Sequence, residues 1–348
     1  LQNAKRSPKT SLLDQQAEEI HLLEMERRRV HNDIQERKGN VRVFCRVWTV
    51  LPEELERQRG LQHLHFFPQD PKTLVLTRPN ESHMGRELRY SFIFDQVFPP
   101  GASQQEIFQE IQLLVQSALD GFPVCILTYG QTGSGKTFTM EGLESLGTPE
   151  CRTMIPGALQ HLFQSTHDLA GKGWQYRFSA SFLEIYNDSL RDLLLEKGQH
   201  QPDLDIRNVS PGSDELPVPN LTWVPVETDK EVLELLLRAD SQRSVAQTGL
   251  GDRSSCSHCV FQLRIQGEQM AWNERCTSYL TLVDLAGLER LEKSGSVGNR
   301  LRKAQCINSS LSALGLVISA LRNKEQHIPY RNSKLTFLLQ NCLGGNAK

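Results

Sequence analysis

The stretch Gly130-Gln131-Thr132-Gly133-Ser134-Gly135-Lys136-Thr137 decides the fold. It fits G-x-x-x-x-G-K-[ST] in full, the pattern of a phosphate-binding loop. Val124-Cys125-Ile126-Leu127 precedes it as a short apolar run, suited to a strand buried on both faces. Thr137–Glu141 follows and reads as the start of a helix. The glycines let backbone N–H groups converge on phosphate oxygens, and the helix N-terminus adds partial positive charge. Lys136 reaches the β and γ phosphates of a bound nucleotide, and the Thr137 hydroxyl ligates Mg²⁺. Gly130, Gln131, Thr132, Gly133, Ser134, Gly135, Lys136 and Thr137 are therefore the expected phosphate site.

Two further stretches extend this reading. Tyr279-Leu280-Thr281-Leu282-Val283-Asp284 is an apolar strand ending in a carboxylate, the form of a metal-holding strand in P-loop enzymes. Gly287, three residues on, can bring its N–H to a γ phosphate. Arg253-Ser254-Ser255-Cys256-Ser257-His258 clusters hydroxyls that can reach Mg²⁺ or position a water. Cys256, His258 and Cys259 also invite a zinc reading. Only Cys276 follows nearby, whereas zinc sites want four ligands with a second suitably spaced pair. Cys259 is read as a core residue instead.

Around these motifs, strands are expected at 41–47, 90–98, 177–186, 259–267 and 278–284, with short strands and loops over 52–89. Helices are expected over 103–120, with Ile107, Ile111, Leu114 and Ala118 on one face, and over 308–322. Mixed strands and helices of this kind predict an α/β domain with a large central sheet. Residues 1–11 are expected to be a disordered lead. Residues 12–38 lack Pro and Gly and form a helix. Leu13, Ile20, Arg27 and Ile34 fall at heptad a, and Gln16, Leu23, Val30 and Arg37 at d. Three of these eight positions are polar, so a weak coiled coil and a single helix packed on the next domain both remain open.

The chain has 348 residues, with 39 Lys plus Arg against 41 Asp plus Glu, for a net charge of −2. That excludes a chain that coats nucleic acid along its whole length. Residues 290–348 nonetheless carry ten basic side chains against Glu292 and Glu325, a local charge of +8. Such a surface suits an acidic partner. No apolar run approaches the roughly 20 residues that span a bilayer, so no membrane insertion is expected. The eight cysteines lie mostly in apolar segments, as reduced core cysteines do.

Together these motifs resemble the kinesin motor domain, most closely its carboxy-terminal, minus-end-directed class. The resemblance also rests on 38–46, Thr128-Tyr129, Glu184-Ile185-Tyr186-Asn187 and 327–336. It implies a P-loop NTPase with a mixed central sheet flanked by helices, a neck helix at 12–38 and a motor domain over 39–348. It implies ATP and Mg²⁺ as ligands, with Thr137, Ser255 and Asp284 on the metal. Ser254, Ser255, Gly287 and Glu289 would serve hydrolysis, and Arg46 the nucleoside side. Microtubules would bind the basic 290–348 region, including Arg331 and Lys334, and the family match favours tubulin over nucleic acid. A homodimer would form through an upstream coiled coil. The cytoplasmic microtubule cytoskeleton and spindle are the implied location, with the nucleus as a further compartment.

Four departures from the family bear on activity. The second Arg and the Pro of its Arg-x-Arg-Pro are Trp48 and Thr49, which bears on ATP affinity and base selectivity, with Trp48 the candidate to stack on the base in their place. The family's switch I Asn and Arg are Gly251 and Cys256. A thiol cannot form the Arg–Glu pair expected with Glu289. Leu288 replaces a Ser. The family also continues beyond Lys348 with a sheet strand and a last helix, so the chain is expected to stop short of them. These changes raise the alternative of a hydrolysis-deficient microtubule-binding pseudo-motor.

Overall fold

The computed structural model describes residues 8–50, 60–79, 87–142, 153–196, 199, 203–207, 218–245, 256–288 and 299–348. A six-stranded mixed sheet forms the centre. Its order is β6 (Val124–Thr128), β11 (Glu274–Asp284), β10 (His258–Gln269), β7 (Trp174–Tyr186) and β8 (Ser189–Asp192), with β9 (Val224–Val226) also on β7. β6 runs parallel to β11 and the other pairs are antiparallel.

Alternation along the strands explains why both faces are covered. Phe182 on β7, Phe261 on β10 and Leu282 on β11 point into one core. Their neighbours Leu183, Val260 and Val283 point into a second. The first core is closed by α2 (Gln104–Leu119), α4 (Met154–Ala170) and α5 (Asp229–Val245), through residues such as Val115, Leu159 and Leu236. The second is closed by α6 (Asn299–Arg322), α7 (Lys334–Leu338) and α8 (Gln340–Leu343), through Leu311, Leu335 and Cys342. The result is a three-layer sandwich. The short α3 (Lys136–Met140) caps the end of β6.

Most expected elements are present with shifted ends. α2 begins at its Ser103 cap, where Ser103 accepts from Glu106 N–H at 3.2 Å and Glu106 accepts from Ser103 N–H at 2.6 Å. The expected strand over 41–47 shortens to β1 (Phe44–Arg46), and that over 90–98 divides. β4 (Glu87–Ile93) joins β2 (Leu64–Phe67) and β3 (Asp70–Pro79) in a small sheet, while β5 (Gln96–Phe98) pairs with β1. Asp95 causes the break, because it is tied across to Val43: its N–H donates to the Val43 carbonyl at 2.9 Å and its carboxylate accepts the Val43 N–H at 2.8 Å. Lys348 pairs with the outer edge of β6, donating to Pro123 O and accepting from Cys125 N–H.

The N-terminal helix α1 (Pro8–Lys38) starts earlier than expected, within the stretch read as disordered lead. Proline is tolerated in the first turn because it has no N–H to lose there. α1 packs against the head through a polar stripe. Glu24 is 3 % exposed and Arg28 6 %, and Gln35 is fully buried. Arg27 grips Asp120, the C-terminal cap of α2, with two hydrogen bonds, 2.6 and 3.2 Å. The Arg28 guanidinium lies 3.8 Å over the Trp174 ring and donates to Tyr176 Oη. Lys172 reaches Glu24 at 2.8 Å. Burial alone would raise Glu24, but hydrogen bonds from Arg27, Lys172 and Arg28 bring its carboxyl down to about 2. The apolar residues of the heptad seam face solvent: Leu13, Ile20, Leu23, Val30 and Ile34 are all exposed. The structure thus shows the packed-helix reading, with the apolar residues of the heptad seam left exposed.

Candidate nucleotide site

β6 ends in Thr128 and delivers the chain to the 130–137 loop, where Gly133 and Gly135 both take φ of +78°. That left-handed backbone is cheap only for glycine. Lys136 Nζ donates to Gln131 O at 2.9 Å, folding its side chain back across the loop. β11 runs beside β6 in register, with Asp284 opposite Thr128.

The pairing sets the metal-side geometry. Thr137 Oγ1 donates to Asp284 Oδ2 at 2.6 Å, and Thr128 Oγ1 to Asp284 Oδ1 at 3.2 Å. Asp284 is buried. A hydroxyl and a carboxylate held together beside a phosphate loop are the hard oxygen donors that suit Mg²⁺. The residues present therefore fit the ion that the sequence implied. Sequence reading named Thr128 only as part of the family motif and not as a site residue; its position at the end of the apolar run was the available signal.

The segment after β11 returns to the loop. Leu288 N–H donates to Gly130 O at 3.2 Å, which sets buried Gly287 beside the phosphate loop. Ser254, Ser255 and Glu289 lie outside the described residues, as does Gly251. Cys256 is half-buried against the second core. Cys259 is buried in β10 as expected. Among the described residues no group of three or more His, Cys, Asp and Glu could hold a metal ion.

Two buried polar arrangements behind the loop were not legible from sequence. Arg243 of α5 donates to Glu141 at 3.3 Å, both side chains 4 % exposed. Burial pushes the Glu141 carboxyl up to about 7 despite that partner. His258, at the start of β10, accepts the Ala286 N–H on Nδ1 at 3.0 Å, so its proton sits on Nε2 and points to Ser310 Oγ at 2.8 Å. Ser310 donates onward to Ile307 O at 2.7 Å. One imidazole therefore ties the post-β11 segment to α6. Burial lowers its pKa to about 4.

Arg46 donates to Gln104 Oε1 and Thr139 Oγ1 at 3.0 and 2.8 Å. On the opposite core, α6, the 3₁₀ turn Tyr330–Asn332 and α7 form one surface, where Arg322, Lys324 and Arg331 are exposed and Lys334 is half-buried. Among the described residues no helix is long and apolar enough to cross a membrane.

Comparison with known proteins agrees with this architecture. Residues 52–348 match the kinesin motor domain family. "Carboxy-terminal kinesin 2" of Xenopus laevis is 55% identical over 334 residues, covering 95% of this chain and 52% of that protein. "Kinesin-like protein KIFC1" of Homo sapiens is 54% identical over 347 residues, covering 94% and 51%. The chain thus spans about half the length of the curated relatives it matches. Among solved structures, the C-terminal motor and motor homology domain of Kar3Vik1, fused to a synthetic heterodimeric coiled coil, superposes with a TM-score of 0.84 at 36% identity, covering 98% of this chain and 86% of that one. The motor domain of the Kar3-like kinesin from Ashbya gossypii gives 0.72 at 39% identity, covering 89% and 90%. None of these comparisons supports the pseudo-motor alternative. The phosphate loop, the mixed sheet and these matches agree: the chain belongs to the kinesin motor domain family, in the company of its C-terminal motors.

Proposed function

We propose that this chain is the ATP-hydrolysing, microtubule-binding head of a minus-end-directed motor that works on spindle and cytoplasmic microtubules. The observation that carries the reading is the Thr137–Asp284 contact beside a complete phosphate loop. In this reading the 130–137 loop binds the ATP phosphates, and Thr137 and Asp284 hold Mg²⁺, with Ser255 as a further ligand. When bound, that ion neutralises charge on the transferred phosphoryl group. Gly287, Ser254 and Glu289 order the γ phosphate and the attacking water. His258 and Ser310 connect this region to α6, whose layer carries the basic surface for acidic tubulin.

α1 is the neck in this reading. Its exposed seam from Leu13 to Ile34 carries Leu13, Ile20, Leu23, Val30 and Ile34 at heptad spacing, broken by Gln16 and Arg27, and supports a weak homodimer contact through a coiled coil that continues upstream.

The test is ATP turnover with and without microtubules, and gliding of polarity-marked microtubules over surface-bound protein. Microtubule-stimulated turnover with minus-end-directed motion is expected. Binding without stimulated turnover would reject the motor reading.

A further inference from the structure

Two thiols meet in the second core, in a place the nucleotide site does not use. Cys125 is the second residue of β6, and its side chain points with Leu127 into that core. Cys342 lies in α8, which packs on β6, and is 5 % exposed. The two thiols are hydrogen-bonded to each other. Cys342 gives its own S–H to Leu339 O at 3.3 Å, so its sulfur is the acceptor for the Cys125 S–H. Both cysteines are free thiols, Cys125 half-buried and Cys342 buried.

Separate supports hold the pair together. β6 is fixed by its parallel register with β11, where Cys125 stands opposite Thr281. On the other edge, Cys125 N–H donates to Lys348 O at 3.0 Å. α8 follows α7, whose Leu335 and Leu338 are buried in the same core. A disulfide needs two sulfurs that can close to bonding distance, and these are already in contact. The Cys342 contact and burial push the Cys125 thiol well above the usual thiol range. The pair therefore rests protonated and reduced at neutral pH, and its first oxidation is slow, because the thiolate is the nucleophile. The second step is different: once one sulfur is oxidised, its partner is held beside it and reacts within the molecule.

We propose that Cys125 and Cys342 are a thiol–disulfide pair, closed by hydrogen peroxide, that ties the strand feeding the phosphate loop to the layer carrying the basic surface. Cys125 is the more exposed sulfur and reacts first. Its thiolate attacks one peroxide oxygen, the O–O bond breaks, and a sulfenic acid and hydroxide form. The hydroxide takes up the proton that the thiol released. The Cys342 sulfur then attacks the sulfenic sulfur, the S–O bond breaks, and hydroxide leaves with the Cys342 proton as water. Two thiols and one peroxide give one disulfide and two waters, with two electrons passing from sulfur to oxygen. A small thiol reverses the bond by exchange. Its effect on turnover rests on the nucleotide-binding reading above, whereas formation of the bond does not.

The test treats the whole chain with hydrogen peroxide, blocks remaining thiols by alkylation, and maps unreduced peptides by mass spectrometry. It compares wild type, Cys125→Ser and Cys342→Ser, with dimedone added to parallel samples to trap sulfenic acid. Wild type is expected to give a peptide pair bridged from 125 to 342 within one chain, lost on adding dithiothreitol. Cys342→Ser is expected to give a dimedone adduct on Cys125 and no bridge. Microtubule-stimulated turnover of oxidised wild type should fall about threefold or more and recover with dithiothreitol, while the same treatment leaves Cys125→Ser within about twofold of its starting rate. Absence of the bridge at peroxide levels that oxidise other cysteines overturns the pair. So does a Cys125 adduct in wild type that never converts to the bridge. A bridge that forms with turnover unchanged overturns the tie between the two layers. A wild type that turns over no ATP before oxidation counts against the nucleotide-binding reading, and the bridged peptide alone then decides the pair.

Discussion

Acid should loosen the link between the nucleotide site and α6 through one residue, His258. In the folded chain its Nδ1 accepts the Ala286 N–H and its Nε2–H points to Ser310. Protonating Nδ1 would set two donors face to face in a buried site. The folded pKa of about 4 lies below the unfolded value of 6.5, so the unfolded chain takes up the proton first. The associated stability is therefore fully present above pH 6.5 and is lost as pH falls toward 4. With one pKa unit worth about 1.4 kcal/mol, the full loss is about 3 kcal/mol, of which about 2 falls between pH 7.5 and 5. His258→Asn keeps an oxygen to accept from Ala286 but removes both the titration and the reach to Ser310. Urea unfolding at a series of pH values measures the difference. Wild type should lose about 2 kcal/mol more than His258→Asn between pH 7.5 and 5. Parallel curves for the two proteins would refute the argument. So would nitrogen chemical shifts showing the His258 ring protonated at pH 6 in the folded state.

Four other tests probe the remaining parts. In the proposed function, Asp284→Asn removes the charge and Thr137→Ala the hydroxyl that would hold Mg²⁺, and either should reduce Mg²⁺-dependent ATP turnover about a hundredfold or more; steady-state phosphate release checks this. Asp120→Asn removes the charge gripped by Arg27 and should destabilise α1 docking by about 2 kcal/mol, seen as faster amide exchange between 20 and 35 while the central sheet stays protected. Arg331→Ala with Lys334→Ala should weaken microtubule co-sedimentation several-fold and flatten its salt dependence, since two charges leave the basic surface. Cys256→Arg with Gly251→Asn should raise microtubule-stimulated turnover, whereas unchanged turnover would show that neither position limits it.

The phosphate loop and Asp284 were legible because their chemistry is local: glycine spacing fixes the loop, and an apolar run fixes where the strand ends. Cys259 was placed in the core by the same strand reasoning. The 90–98 strand was read as one piece because nothing in its own pattern announces that Asp95 will leave it for Val43, about fifty residues earlier in the chain. α1 is the more instructive case. Its period was right, but the sequence could not say which face would be buried. The hydrophobic rule favours the seam of Leu13, Ile20, Leu23, Val30 and Ile34, yet that face is the exposed one. Glu24 and Arg28 are buried because Asp120, Lys172, Trp174 and Tyr176 receive them, and those partners lie roughly ninety to a hundred and fifty residues away. Charged groups tolerate burial only when paired and hydrogen-bonded, and the pairing here exists only after the sheet and α2 have formed. The charged stripe leaves the apolar seam residues exposed, so docking on the head and pairing with a second helix use largely different faces that meet at Arg27, a heptad a residue tied to Asp120. Dissolving the ion pairs would then release α1 from the head without touching the seam. Asp120→Asn should therefore weaken docking, which depends on charge, before it weakens a dimer held by apolar contact. Amide exchange in α1 and sedimentation, compared between wild type and Asp120→Asn, separate the two. Simultaneous loss would show that one face serves both contacts.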